Sequence, residues 1–260
     1  TALSQELSLV VAFSMLLTPL LFILYERMSQ RMEEETGPTR SEDDIDEEGA
    51  VIIVGIGRFG QIVNRMALAC GIKTIVIDHH VDQIEAMRRF GVKGFFGDPT
   101  RPDLMQSAGL MEARILVVAV DDRDAAVKLV TYARSQRADL HIIARAYDRN
   151  HVYKLFRAGA SDIVRETFDS SLRASRYMLQ AMDWSEYDAE KASEAFFKAD
   201  RHALQELAEL WDPAVPNVQN DAYVQRAKSI NKELYTGFLA NLSALVDADN
   251  DTPKPRDAAE

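Results

Sequence analysis

The stretch "AVIIVGIGRFGQIVNRMALACGIKTIVIDHH", residues 50–80, constrains the fold more than any other part of this 260-residue chain. A run of β-branched residues leads into Gly55, Gly57 and Gly60, spaced G-x-G-x-x-G, and Asp78 closes a second β-rich run eighteen residues after the last glycine. A strand that turns tightly into a helix brings free backbone N–H groups and the positive end of the helix dipole to one point, where a phosphate is held. In such a turn Gly55 permits the sharp bend, Gly57 lets backbone approach the phosphate, and Gly60 allows close helix–strand packing. An acid at the end of the next strand bonds ribose hydroxyls and repels a 2′-phosphate, so an adenosine ligand is favoured over NADP.

The same alternation continues downstream. Apolar, β-rich runs at 51–54, 74–77, 92–96, 115–120 and 140–144 alternate with helical stretches at 60–70, 81–90, 101–109 and 122–136. Near-continuous apolar strands joined by helices predict a parallel sheet covered on both faces. Gly71, Gly91 and Gly109 stand where helix C-caps belong. The fold class expected is α/β: a Rossmann-like doubly wound parallel sheet over residues 49–166, then a helical subdomain over 167–260.

Two segments precede the sheet. Residues 7–25, "LSLVVAFSMLLTPLLFILY", are nineteen residues without a charge, close to the roughly 20 that span a bilayer. No basic n-region precedes this run and no small-residue cleavage motif follows it, so a signal peptide fits poorly. The expectation is a transmembrane helix within residues 1–27, the last of a larger membrane protein. Arg27 and Arg31 follow the run and Glu6 precedes it, which places its C-terminal side in the cytoplasm. Residues 28–48 read as an acidic linker. Of the formal charge of −11, the stretch 33–48 alone carries −8, nine acids against Arg40. The rest of the surface is therefore close to balanced and no nucleic-acid footprint is present. The single cysteine, Cys70, excludes an intrachain disulfide and reads as a small core residue.

The glycine pattern does not itself specify chemistry, because adenine dinucleotides and AMP-like ligands use the same turn. A hydride-transfer enzyme also needs a substrate domain and a general acid or base. The residues after 166 offer little of that sort: His202 is the only histidine beyond His151, and it sits in a charge-rich helical stretch. The sequence shows no metal-ligand spacing and no nucleophile motif. The expectation is therefore a ligand-binding domain that is not an enzyme. An NAD-dependent oxidoreductase stands as an alternative.

The order of an apolar helix, an acidic linker, "VGIGRFGQIV", "GDPTRPDLMQSAGL", "IIARA" and "RETF" resembles the C-terminal end of Kef-type glutathione-gated potassium efflux systems, with their regulatory domain of the RCK or KTN kind. The resemblance implies a potassium/proton antiporter of the inner membrane whose cytoplasmic domain forms a homodimer. Glutathione holds such systems closed and glutathione adducts of electrophiles open them, sometimes with an ancillary oxidoreductase bound. It also implies a structural adenine nucleotide, AMP or NAD/NADH; an NAD(H)-sensing regulatory module of a potassium uptake system stands as a further alternative. Gly55, Gly57, Arg58, Phe59 and Gly60 match the phosphate loop, Asp78 the ribose acid, and Asp98, Thr100 and Arg101 the turn after the third strand. A helix N-cap is the plainer role for Asp98 and Thr100.

For glutathione the resemblance implies Arg65, Phe90, Asp148, Arg165 and Asp200. The first helix is expected to bury Ile62, Val63, Met66, Ala67 and Cys70, which leaves Arg65 exposed and able to grip a carboxylate through two N–H groups. An ordinary surface arginine is the bland reading of Arg65 and of Arg165, and a hydrophobic cap contact that of Phe90. Asp200 departs from the family asparagine. An aspartate only accepts hydrogen bonds, and it repels a ligand carboxylate. In the tail, residues 167–182 form an amphipathic helix whose Leu172, Ser175, Tyr177, Met178, Leu179 and Met182 could reach a partner subunit or pack on the chain's own sheet. Amphipathic stretches at about 186–212 and 219–246 come next, and the last dozen residues, "DNDTPKPRDAAE", are expected to form a disordered tail.

Overall fold

The computed structural model describes residues 49–250, side chains through 237, together with the isolated positions 15, 17, 18, 21, 43 and 45. Most of the apolar run 7–25 and of the acidic linker lies outside the described residues. Among the described residues no helix is long and apolar enough to cross a membrane. The chain divides into two units, Thr1–Asp43 and Asp44–Glu260; the architecture below is that of the second.

Six strands form one parallel sheet: β1 (Val51–Val54), β2 (Thr74–Asp78), β3 (Phe95–Phe96), β4 (Ile115–Val118), β5 (His141–Ala146) and β6 (Asp162–Arg165). Their order across the sheet is β3-β2-β1-β4-β5-β6. The chain therefore reverses its direction of travel between β1 and β4, the point at which open α/β sheets open a crevice for ligands at the strands' C-terminal ends.

Helices α1 (Arg58–Ala69), α2 (Val81–Arg89), α3 (Pro102–Ser107), α4 (Arg123–Gln136) and α5 (Arg149–Ala158) connect the strands. Every residue of β1 is buried, as a strand covered on both faces requires. One face carries the larger core, in which Met105, Leu129 and Leu155 from α3, α4 and α5 pack on Ile52, Ile75 and Leu116. The other face carries a smaller one around Ile53, Val76, Val117 and Ile84. Gly71, Gly91 and Gly109 take the left-handed conformation predicted for helix ends.

The stripe expected of α1 is corrected by this arrangement. Gly60 and Asn64 are buried against the sheet and Val63 and Ala67 are half-buried, whereas Ile62, Met66 and Cys70 are exposed. Successive residues turn 100° around a helix, so the sheet takes the row i, i+3, i+4, i+7 from Gly60, and the neighbouring apolar row points outward. Asn64 is tied down inside by a 2.7 Å hydrogen bond from the Thr74 hydroxyl.

Two elements of the sheet region are not expected from sequence, α5 and the edge strand β6. Beyond them lie α6 (Phe168–Ala181), α7 (Glu186–Leu210) and α8 (Asp221–Asn250). Tyr153 of α5 packs with Leu207, Trp211 and Tyr223, which fastens the helical region to the sheet. α6 packs chiefly along α7 rather than on the sheet. It buries no residue fully and leaves Tyr177, Met178 and Met182 exposed.

His151, at the start of α5, is 2% exposed and accepts a hydrogen bond from the Tyr147 N–H at Nδ1 (3.2 Å). Its Nε2 is buried without a hydrogen-bond partner. Burial holds this imidazole below its usual value of 6.5, because desolvation disfavours the charged ring. The unfolded chain then takes up a proton before the folded one does, so stability is full above about 6.5 and falls as the pH drops toward the folded value. Denaturant unfolding at pH values above and below 6.5 is expected to show this loss. His151→Asn is expected to remove that part of the slope.

Candidate functional site

The glycine turn is held from both sides. The Gly55 N–H donates to the Ile77 carbonyl (2.8 Å), and Gly55 adopts φ +91° with Ala119 directly behind it. A Cβ on Gly60 would stand 1.9 Å from the Gly55 carbonyl oxygen, whereas one on Gly57 would meet nothing within 4 Å. Gly55 and Gly60 are thus required by the packing of the scaffold, and Gly57 faces open space. No side chain caps the N-terminus of α1 and no acid lies in its first turn, which leaves that helix end suited to an anion.

Asp78 is only 4% exposed. One carboxylate oxygen accepts the Ile56 N–H (2.7 Å) and the other the His80 N–H (2.8 Å). The acid at the end of β2 therefore already braces the glycine turn from 22 residues away. On the turn after β3, Asp98 accepts both the Thr100 N–H (2.9 Å) and the Thr100 hydroxyl (2.8 Å). Arg101 pairs with Asp103 (3.2 Å from Nε). The N-cap of α3 is Arg101, with no side-chain cap bond, so Asp98 and Thr100 shape the turn rather than cap the helix. Arg58 is exposed and reaches Glu166 (3.3 Å), and Phe59 is half-buried.

A groove of about 760 Å3 opens between α1 and α2. Gly57, Arg58, Arg65 and Phe90 line it, so members of the predicted phosphate loop and of the predicted glutathione set share one cleft. Phe90 is 86% exposed, too open for the hydrophobic cap contact that its place at a helix end suggests. Asn64 from α1 and Gln83 from α2 add amides to the groove, and the Gln83 side-chain oxygen is buried without a hydrogen-bond partner. An orphaned acceptor of this kind suits a ligand N–H.

The other three predicted residues gather around α5. Asp148 caps that helix, accepting the His151 N–H (2.8 Å), and pairs with Arg123 (3.0 Å). Asp200, 6% exposed, lies between Arg149 (2.5 Å) and Arg165, which also stacks over the Phe168 ring at 3.7 Å. Arg165 and Asp200 thus hold one another. Among the described contacts of one chain, nothing joins this group to Arg65 and Phe90.

Sequence reasoning missed a network at the C-terminal ends of the central strands. Arg145 is 5% exposed; it donates to the Val120 carbonyl (2.9 Å), pairs with Asp121 (2.6 Å) and stands 3.8 Å from Glu166. The available signal was an arginine interrupting the apolar run "IIARA", since a charge buried in a central strand is kept only with partners.

Residues 51–166 match the family described as the TrkA-N domain, and residues 170–253 match the potassium efflux system KefB C-terminal domain. Glutathione-regulated potassium-efflux system protein KefC from Escherichia coli (strain SE11) is 36% identical over 249 residues, covering 95% of this chain and 37% of that protein. The protein of the same name from Shigella boydii serotype 18 (strain CDC 3083-94 / BS512) is 36% identical over the same shares. The chain thus spans a little over a third of the length of the curated relatives it matches. Among solved structures, the Shewanella denitrificans Kef CTD in AMP-bound form is 40% identical, with a TM-score of 0.58 over 62% of this chain and 99% of that one.

Proposed function

The chain belongs to the family of Kef C-terminal domains, a family of potassium-efflux regulators rather than enzymes, and from that premise we propose that it gates a potassium/proton antiporter from the cytoplasmic face of the inner membrane. An adenine nucleotide, AMP or NAD/NADH, sits as a structural ligand on the turn formed by Gly55, Gly57, Arg58, Phe59 and Gly60. Asp78, Asp98, Thr100 and Arg101 complete its surroundings. Glutathione inhibits and glutathione adducts of electrophiles activate, through Arg65, Phe90, Asp148, Arg165 and Asp200. The active form is a homodimer joined to its membrane transport domain, with an ancillary oxidoreductase as a further partner.

The observation that carries this reading is the groove between α1 and α2, which opens beside the glycine turn and displays Arg65 and Phe90. It offers what a tripeptide thiol with two carboxylates calls for: a guanidinium, an unpaired buried amide oxygen at Gln83 and an exposed aromatic ring. A bulky S-substituent raises the contact with Phe90, and a difference of a few kcal/mol between two domain arrangements is enough to shift their populations. The separation of Arg65 and Phe90 from the α5 group supports a site completed across the dimer. The exposed apolar rows of α1 and α6 support the dimer itself.

Thermal unfolding with added ligands tests the reading. AMP, glutathione and an S-substituted glutathione are each expected to raise the melting temperature. If NADH alone does so, the glutathione assignment fails. Arg165→Ala is expected to abolish the response to glutathione and to keep nucleotide binding, since Asp200 retains Arg149. Loss of nucleotide binding in that variant would place the site elsewhere.

A further inference from the structure

We propose that Asp78, His79 and His80 form a binding site for one divalent transition-metal ion of borderline softness, Zn2+, Co2+ or Ni2+. Both imidazoles turn Nδ1 toward the same Asp78 oxygen, at 3.0 Å from His80 and 3.7 Å from His79. All three ligand atoms lie within 4.8 Å of one another. Ligands about 2.0–2.2 Å from a tetrahedral ion stand roughly 3.3–3.5 Å apart. The two spacings fall on either side of that figure, so an ion seats between the three atoms with small side-chain movements.

Two nitrogens and a carboxylate oxygen are the donor set that selects these metals over Mg2+ and Ca2+, which take oxygen alone. The Asp78 carboxylate is fixed in place by the Ile56 and His80 N–H groups, which supplies the orientation a ligand oxygen needs. The His79 and His80 side chains are 53% and 50% exposed. The site thus opens to solvent on one side and leaves room for water to complete the coordination. Asp122, the N-cap of α4, lies close enough to His79 to interact with it electrostatically and adds negative charge on that side. Sequence spacing does not suggest this site, because three consecutive residues alternate in direction along a strand. Here β2 ends at Asp78, and the chain turns toward His80, the N-cap of α2.

Metal binding here is independent of the nucleotide reading, and it is tested without nucleotide because both draw on Asp78. Calorimetric titration of the purified, tag-free chain with Zn2+ is expected to show one ion per chain, and Co2+ to develop visible absorption bands characteristic of nitrogen ligation. His79→Ala and His80→Ala are each expected to weaken Zn2+ binding by about tenfold or more. His141→Ala, which lies at the other end of the sheet, is expected to leave it unchanged. Both altered side chains are half exposed, and unchanged melting temperatures without metal establish that the variants fold. Zn2+ affinity identical in all three variants, or no Zn2+ uptake by the parent chain at millimolar concentration, overturns the proposal.

Discussion

Gly60→Ala is expected to destabilise the chain by about 3 kcal/mol or more, the upper range for forcing extra volume into a packed site. The new Cβ would lie 1.9 Å from the Gly55 carbonyl oxygen and 3.0 Å from its carbon. Both are backbone atoms, and neither can rotate away as a flexible side chain would. Either α1 lifts from β1 or the Gly55 turn opens, and Gly55 has Ala119 behind it. Gly57→Ala is the contrasting case. Its φ of −60° is open to any residue and nothing stands within 4 Å of the added methyl. Stability is expected to stay within about 0.5 kcal/mol, whereas affinity for AMP drops because the methyl occupies the space through which backbone meets phosphate. Urea unfolding and nucleotide titration of the two variants separate them: one loses the fold, the other the ligand. Equal stability for both would mean that the turn is not packed as described.

Asp200→Ala is expected to produce the second large effect, a loss of about 2 kcal/mol. Removing one member of a buried charge cluster costs about 3–5 kcal/mol when the remaining charge stays buried. Here the remaining groups are arginines, with Arg149 44% and Arg165 18% exposed, so each recovers some hydration and the loss is smaller. Asp200→Asn keeps the shape and one acceptor, and it is expected to lose about half as much. The pair of variants also bears on ligand response. Asp200 occupies the guanidinium of Arg165 with a carboxylate of the chain's own, in the manner a ligand carboxylate would. Freed from that pairing, Arg165 in Asp200→Asn is expected to bind glutathione more tightly, which a thermal-shift titration reads directly. Weaker glutathione binding in Asp200→Asn would show that the carboxylate serves the ligand's ammonium group rather than competing for Arg165.

Much of the sheet is legible in the sequence because its central strands announce themselves. "VIIV" and "ILVV" are apolar without a break, as strands covered on both faces must be, and the glycine spacing marks the turn and helix after the first of them. β6 is not legible. "DIVR" lies at the edge of the sheet with its residues half-buried or exposed, so neither a continuous apolar run nor clean alternation marks it. α5 hides for a different reason: "RNHVYKLFRA" buries a histidine and a tyrosine, polar-looking residues, and the partners of Tyr153 lie far along the chain. The stripe on α1 comes out one row too wide, because periodicity tells which residues are apolar together and not which neighbour covers them. The candidate residues divide in the same way. Arg65 and Phe90 stand in one groove as a pair of ligand contacts would, while the mutual embrace of Arg165 and Asp200 depends on a contact across 35 residues that no local pattern encodes.

The brace from Asp78 to the Ile56 N–H has a consequence for what a nucleotide can signal. Because a carboxylate of the chain already clasps the turn, the seat exists before its occupant arrives, and little of the backbone has to be ordered on arrival. A guest received without rearrangement has no preference between two arrangements of its host, and a ligand without such a preference moves no equilibrium. In the function proposed above, the nucleotide then acts as ballast, adding stability that grows with the logarithm of its concentration. On the same proposal, the message is carried by the ligand of the neighbouring groove between α1 and α2.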